Sequence, residues 1–204
     1  MLNKLRDSLE PSLTKLGKSF ASTGLSANFW TALSLILSIL AGVAYSSNSF
    51  NTSNGGGTAF SAAVLGGILL LLSGFFDIVD GTVARVTNQR SKKGAFLDSC
   101  FDKVAEVAIF TGISYGKLAD PLLSLVCLGI SLIVSYTRAK AESLGVQLQG
   151  IGLGERAERI LIIALVGMLP AREAMEWAVV IVSIIAGITT YQRMAVISRR
   201  LSSI

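Results

Sequence analysis

Six apolar runs, at about 28–46, 58–86, 94–115, 120–143, 154–170 and 173–197, constrain this 204-residue chain more than any other feature. Roughly 20 apolar residues carry a helix across the hydrocarbon of a bilayer. No water is available there to satisfy backbone N–H and C=O groups, so such runs form helices, which bond them internally. The sequence therefore predicts an all-α, polytopic membrane protein with six transmembrane helices. Composition agrees: 51% of residues are hydrophobic and 15% charged, a balance unlike that of a soluble domain. Residues 1–204 read as one domain, with an amphipathic interfacial helix over 1–20 ahead of a six-helix core at 28–197.

In residues 1–20, Leu2, Leu5, Leu9, Leu13, Leu16 and Phe20 fall at helical spacing, with Lys4, Arg6, Lys15 and Lys18 elsewhere. That pattern suits a helix lying in the membrane interface. It lacks the continuous apolar core and small-residue cleavage site of a signal peptide. Pro11 is expected to kink or divide it. Between the first two runs, residues 46–58 are Ser, Asn, Gly and Thr around Phe50 and read as a flexible connector. Gly55–Gly57 there lack the Lys and Ser/Thr of a phosphate loop, and Asn51-Thr52-Ser53 is formally a glycosylation sequon.

The second run ends, and the third begins, on charge. Asp77, Asp80, Gly81 and Ala84 share one helical stripe with Arg85 one step round, while Gly94, Asp98 and Asp102 recur every fourth residue on another. The basic turn from Arg90 to Lys93 is short enough to make the two helices antiparallel neighbours, with Asp80 and Asp98 at matching depth. Four carboxylates then converge. Buried together they repel one another and need cations, and their hard oxygens suit Mg²⁺, Mn²⁺ or Ca²⁺. Two such ions side by side are a recurring device for phosphoryl transfer. Aspartates paired with Arg85 and Lys103 at a solvated helix end would be the plainer account. It suits one isolated Asp better than four on matched stripes in apolar sequence, where ionisable residues are functional by default.

The chain has no His, which leaves carboxylates for acid–base work. Cys100 and Cys127 lie in apolar helical stretches and suggest neither a disulfide framework nor a zinc site. The net charge of +5 does not point to nucleic acid, because few basic residues are interleaved with aromatics and most flank the apolar runs. Only Lys117 and Arg172 fall near the turns between runs three and four and between runs five and six. The positive-inside bias therefore places both termini and the aspartate cluster on the cytoplasmic side of a multi-pass cell-membrane protein.

The pattern Asp77-x-x-Asp80-Gly81-x-x-Ala84-Arg85, eight residues, Gly94-x-x-x-Asp98-x-x-x-Asp102 resembles the complete signature of the CDP-alcohol phosphotransferases. These integral membrane enzymes move a phospho-lipid group from a CDP-linked lipid onto an alcohol and release CMP. The resemblance implies that Asp77, Asp80 and Asp98 hold two Mg²⁺ ions, with Mn²⁺ possible in their place. Asp102 would share in metal binding and act as general base. It implies too that Gly81 and Ala84 let the nucleotide approach the helix, that Arg85 neutralises phosphate charge, and that the enzyme is a homodimer. Asn28 and Thr31 match the family's entry into the first span and join the implied CDP-lipid site, although Ala27 stands where Pro is frequent.

In the second half, Arg138, Lys140, Arg156 and Arg193 are more cationic than an anchoring belt requires, though snorkelling to the interface would also place them. Gly150, Gly152 and Gly154 read as a flexible loop. These segments resemble one branch of the family, the synthases that join a CDP-linked lipid to inositol 1-phosphate, in which the four cations form a pocket for the acceptor phosphate. A phosphorylated acceptor needs several charge-assisted donors. Glycerol 3-phosphate or another phosphorylated alcohol suits a basic pocket as well, and donors with diacylglycerol or archaeol tails are equally compatible. A divalent-cation transporter is the distant alternative, but the outer halves of the runs carry no charge to line a path.

Overall fold

The computed structural model describes residues 2–53, 59–89, 91–148, 151–171 and 173–202, with the side chains of 2–9, 49–53 and 59 excepted. Among the described residues the regular elements are all helices: α1 (Leu2–Ala21), α2 (Ala27–Ser53), α3 (Ala59–Val86), α4 (Lys92–Tyr115), α5 (Pro121–Ser143), α6 (Arg156–Gly167) and α7 (Ala174–Leu201). The all-α expectation holds. Four of them, α2, α3, α5 and α7, are long and apolar enough to cross a membrane. The other two core helices differ from the expected spans. α4 carries Lys92, Lys93, Asp98, Asp102, Lys103 and Glu106 within 24 residues. α6 has 12 residues, a length of about 18 Å against roughly 30 Å of hydrocarbon.

The expected connector over 46–58 is helical as far as Ser53. The side chains of Ser46, Ser47 and Asn48 turn back onto the helix or across to a neighbour, which removes their usual competition with helical bonding. Ser46 and Ser47 donate to the Val43 and Ala44 carbonyls, each at 2.7 Å, and Asn48 Nδ2 donates to the Gly116 carbonyl at 2.7 Å. Gly55–Gly57 lie outside the described residues, as do Arg90, Gly150, Arg172 and the side chains of the Asn51 sequon and of Leu2, Lys4, Leu5, Arg6 and Leu9. α1 runs through Pro11 undivided.

The helices that carry the charged residues begin on identifiable caps. Ser91 Oγ accepts from Gly94 N at 3.0 Å at the head of α4, satisfying one orphan donor of the first turn. Glu155 and Glu158 form a capping box at the head of α6, with Glu155 N donating to Glu158 Oε2 at 3.2 Å. α5 starts on Asp120, which accepts from Leu123 N at 2.8 Å, followed by Pro121.

α2 is the hub of the site end. It packs on both α3 and α4, while α6 packs on α3 and α7, and α5 on α4 and α7. As expected from the short turn between them, α3 and α4 face each other at the aspartates. Ser34 and Ser38 of α2 bond to the Ser73 hydroxyl of α3 at 3.1 and 2.7 Å, a polar seam in otherwise apolar packing. On the other side, a Cβ added to Gly42 would meet the Ala108 carbonyl, and one added to Gly112 would meet the Gly42 backbone. Gly112→Leu should therefore force α2 and α4 apart and cost about 1–3 kcal/mol, read as a lower Tm in detergent; an unchanged Tm would show that the crossing can relax. Below it lies a core of Tyr45, Leu70, Ile109, Ile113, Ile163 and Val182. α1 covers the charged end of α3 through Leu16 and Phe20, which pack beside Trp30 stacked on Phe76 at 5.6 Å.

Candidate active site

α3 and α4 bring Asp77, Asp98 and Asp102 together, each offering a carboxylate oxygen within 4.8 Å of the others. Asp80 is not in that group. It is 8% exposed, its neighbours include Thr31 of α2 and the Asp77 and Asp98 charges, and its Oδ2 has no hydrogen-bond partner among the described residues. A buried carboxylate oxygen left without a partner is costly. Asp77, Asp98 and Asp102 beside it are a set of hard oxygens that fits a divalent cation.

Arg156, expected among the acceptor cations, reaches into this cluster. Its Nη1 is 2.6 Å from Asp102 Oδ1 and 3.4 Å from Asp77 Oδ1. The capping box that starts α6 sets Arg156 as its first residue, so its side chain leaves the helix toward the acidic end of α3 and α4. Arg85 turns the other way, to Glu10 of α1 at 3.7 Å. Gly81 faces open space, with no heavy atom within 4 Å of an added Cβ, and Ala84 is half-buried against the α1–α3 packing. At Gly94 an added Cβ would crowd the capping Ser91 Oγ at 3.1 Å and make ordinary contact with Asn28 Oδ1 of α2 at 3.7 Å. Thr31 donates to the Ala27 carbonyl at 3.1 Å.

Beside Asp98 and Asp102 opens a cavity of about 420 Å³ whose wall includes Arg138, Arg156 and Arg193. Three of the four cations expected from the sequence thus converge. Lys140 does not. Two residues beyond Arg138 on a helix is about 200° of rotation, and Lys140 is exposed away from the cavity. Arg138 is half-exposed and pairs with Glu142 at 3.0 Å. Arg193 is buried and donates to the Val134 carbonyl at 2.8 Å and the Ile151 carbonyl at 3.0 Å, holding α7 to α5 and to the loop before α6. Two further cations on the wall, Lys103 and Arg159, are absent from the sequence expectation. The spacing held a hint of the second, since Arg159 follows Arg156 by three and shares its face of α6.

A separate groove of about 350 Å³ runs between α3 and α6, with Leu70, Leu71, Phe75, Ile160 and Leu161 along it and Asp77 and Arg156 at its polar end. The site therefore joins three environments at one point: carboxylates, a basic cavity and an apolar groove.

A profile of the CDP-alcohol phosphatidyltransferases matches residues 25–190. The chain belongs to this family. An archaetidylinositol phosphate synthase from Pyrococcus horikoshii is 34% identical over 201 residues, covering 98% of each chain. The archaetidylinositol phosphate synthase of Methanothermobacter thermautotrophicus is 39% identical over 148 residues, or 71% of this chain and 75% of that one. A crystal structure of the phosphatidylinositol phosphate synthase of Mycobacterium tuberculosis with CDP-DAG bound superposes with a TM-score of 0.74 at 23% identity, covering 91% of this chain and 92% of that one. The same enzyme in complex with manganese and citrate gives a TM-score of 0.73 at 23% identity, over 91% and 88%. This phosphatidyltransferase is a membrane protein.

Proposed function

We propose that this phosphatidyltransferase transfers the phospho-lipid group of a CDP-linked lipid to inositol 1-phosphate and releases CMP. The observation that carries the reading is the basic cavity that opens directly beside Asp98 and Asp102. An acceptor with a free hydroxyl at the aspartates and a phosphate among Arg138, Arg156 and Arg193 fits that layout. A neutral acceptor would make no use of the positive charge that lines the cavity.

Asp77, Asp80, Asp98 and Asp102 are the residues to hold two Mg²⁺, or Mn²⁺ in their place, and bound ions there would neutralise the diphosphate and the charge that develops in transfer. The apolar groove between α3 and α6 ends at Asp77, so donor tails lying in it deliver the diphosphate to the carboxylates. Diacylglycerol and archaeol tails both suit such a groove. Gly81, open to space, admits the nucleotide against α3, with Asn28, Thr31, Ala84 and Arg85 around it. Asp102 takes the proton of the acceptor hydroxyl. The hydroxyl oxygen bonds to the lipid-side phosphorus, the bond from that phosphorus to the CMP oxygen breaks in line, and CMP leaves with the electron pair. Arg156 contacts Asp102 and Asp77 and lines the cavity, which supports a role for its guanidinium between the two substrates.

In the membrane, α2 to α7 form the six-helix core of a single domain over 1–204. α1 lies in the interface. Both termini and the site face the cytoplasm, and two copies form a homodimer.

Arg138→Ala should raise the KM for inositol 1-phosphate about tenfold, since it removes one hydrogen bond between charged groups, and leave the KM for the CDP-linked lipid unchanged. Lys140→Ala, two residues away but outside the cavity, should change neither. Measured as CMP release, equal effects of the two substitutions would show that the cavity is not the acceptor site.

A further inference from the structure

The stripe of Gly94, Asp98 and Asp102 continues four residues further to Glu106, and there its surroundings change. The Glu106 side chain is 1% exposed. Its Oε1 accepts from Arg159 Nη2 at 2.7 Å, and its Oε2 accepts from Lys103 Nζ at 3.3 Å. Each cation has a second anchor. Arg159 Nη1 donates to the Gly154 carbonyl at 2.8 Å, and Lys103 Nζ donates to Ser135 Oγ at 2.8 Å. One carboxylate thus ties α4 to α6, to α5 through Lys103, and to the loop that leads into α6.

Both cations line the cavity beside Asp102; Glu106 itself does not. A buried ion pair is a weak stabiliser, because desolvating the charges offsets most of their attraction, and apolar residues of similar size frequently serve as well. What such a pair does supply is geometry. A lysine ammonium on a four-carbon stem is otherwise free to swing, and Lys103 is 30% exposed.

We infer that Glu106 is the positioning residue of the acceptor-phosphate site: its buried carboxylate fixes the Arg159 guanidinium and the Lys103 ammonium in the cavity wall, so that the cavity selects a phosphorylated alcohol over the free alcohol. This role depends on the phosphorylated acceptor proposed above. It also has a sign that separates it from a simpler one. A carboxylate behind a phosphate site repels the phosphate, so a mere counter-charge would weaken acceptor binding, and neutralising it would strengthen that binding. A positioning group does the reverse.

Glu106→Asp keeps the charge but withdraws it by one methylene, and Glu106→Gln keeps the length but presents an amide N–H₂ to one of the two cations. CMP release from a CDP-linked lipid is measured for both variants and the parent, with inositol 1-phosphate and with inositol, alongside Tm in detergent. Both substitutions should raise the KM for inositol 1-phosphate about tenfold, leave the KM for the lipid within twofold, and lower the ratio of kcat/KM between the two acceptors. A lower KM in Glu106→Gln with no change in Glu106→Asp would overturn the inference in favour of a counter-charge. A fall in Tm and kcat with the acceptor ratio intact would overturn it in favour of a structural brace. Should neither variant fold, Lys103→Met, which leaves the Glu106–Arg159 pair in place, must by itself raise the KM for inositol 1-phosphate; an unchanged KM overturns the inference. A parent with no preference for inositol 1-phosphate over inositol defeats the proposed acceptor and this role together. A selective parent whose Glu106→Asp variant keeps its KM defeats only the role of Glu106.

Discussion

Asp98→Asn should lower CMP release by about 10²–10³-fold, a loss of the size seen when one group that stabilises transition-state charge is removed. Asp98 comes from α4 and meets Asp77 of α3 and Asp102 of its own helix, with carboxylate oxygens within 4.8 Å. An amide keeps the shape and a single weak acceptor but gives up the charge that a hard divalent cation requires. Unlike Asp77 and Asp102, Asp98 makes no ion pair with Arg156 at the distances found for those two, so the substitution leaves the contact between α6 and the cluster in place. Tm should be at or above that of the parent, because removing one of several converging like charges relieves repulsion. Turnover within tenfold of the parent would show that the carboxylates do not hold catalytic metal.

Asp102→Asn should cost about 10²–10⁴-fold in kcat, the range for loss of a general base, with affinity for the CDP-linked lipid nearly unchanged. Asp102 lies where the aspartates meet the basic cavity, one turn deeper than Asp98, and lines that cavity. Like Asp98, it is within reach of an acceptor hydroxyl whose phosphate sits among the arginines. Its Oδ1 accepts from Arg156 at 2.6 Å; the Asn carbonyl oxygen can accept the same bond, so the position of Arg156 should survive. Binding of the lipid by calorimetry and single-turnover rates separate the two roles. Equal losses in lipid affinity and in rate would make metal binding, and not proton transfer, the main role of Asp102.

The aspartates could be read from sequence because their spacing of three and four is the helix period itself, and a carboxylate in an apolar run has few reasons to exist. The same period places Glu106 on the stripe, yet a single glutamate beside Lys103 reads as an i,i+3 surface pair. Its partner Arg159 is 53 residues away, and no local pattern encodes that distance. The placement of Arg156 was hidden for the same reason: whether a cation at the head of α6 serves the cavity or the carboxylates depends on how α6 seats on α3. Lys140 belongs to the same basic cluster in sequence as Arg138, but helical phase turns it away from the cavity wall. The connector over 46–53 looked flexible because Ser and Asn favour turns. The deciding contacts are the serine hydroxyls bonded one turn back and the bond from Asn48 to Gly116, 68 residues on.

The most direct measurement is CMP release from CDP-diacylglycerol and from CDP-archaeol by the purified protein, offered inositol 1-phosphate, glycerol 3-phosphate, serine or inositol, with Mg²⁺ and again in excess chelator. CMP should form with inositol 1-phosphate and Mg²⁺, fall to background in chelator, and return when Mg²⁺ or Mn²⁺ is restored. Full turnover in chelator with metal verified absent, or a preference for serine or inositol over inositol 1-phosphate, would contradict the account.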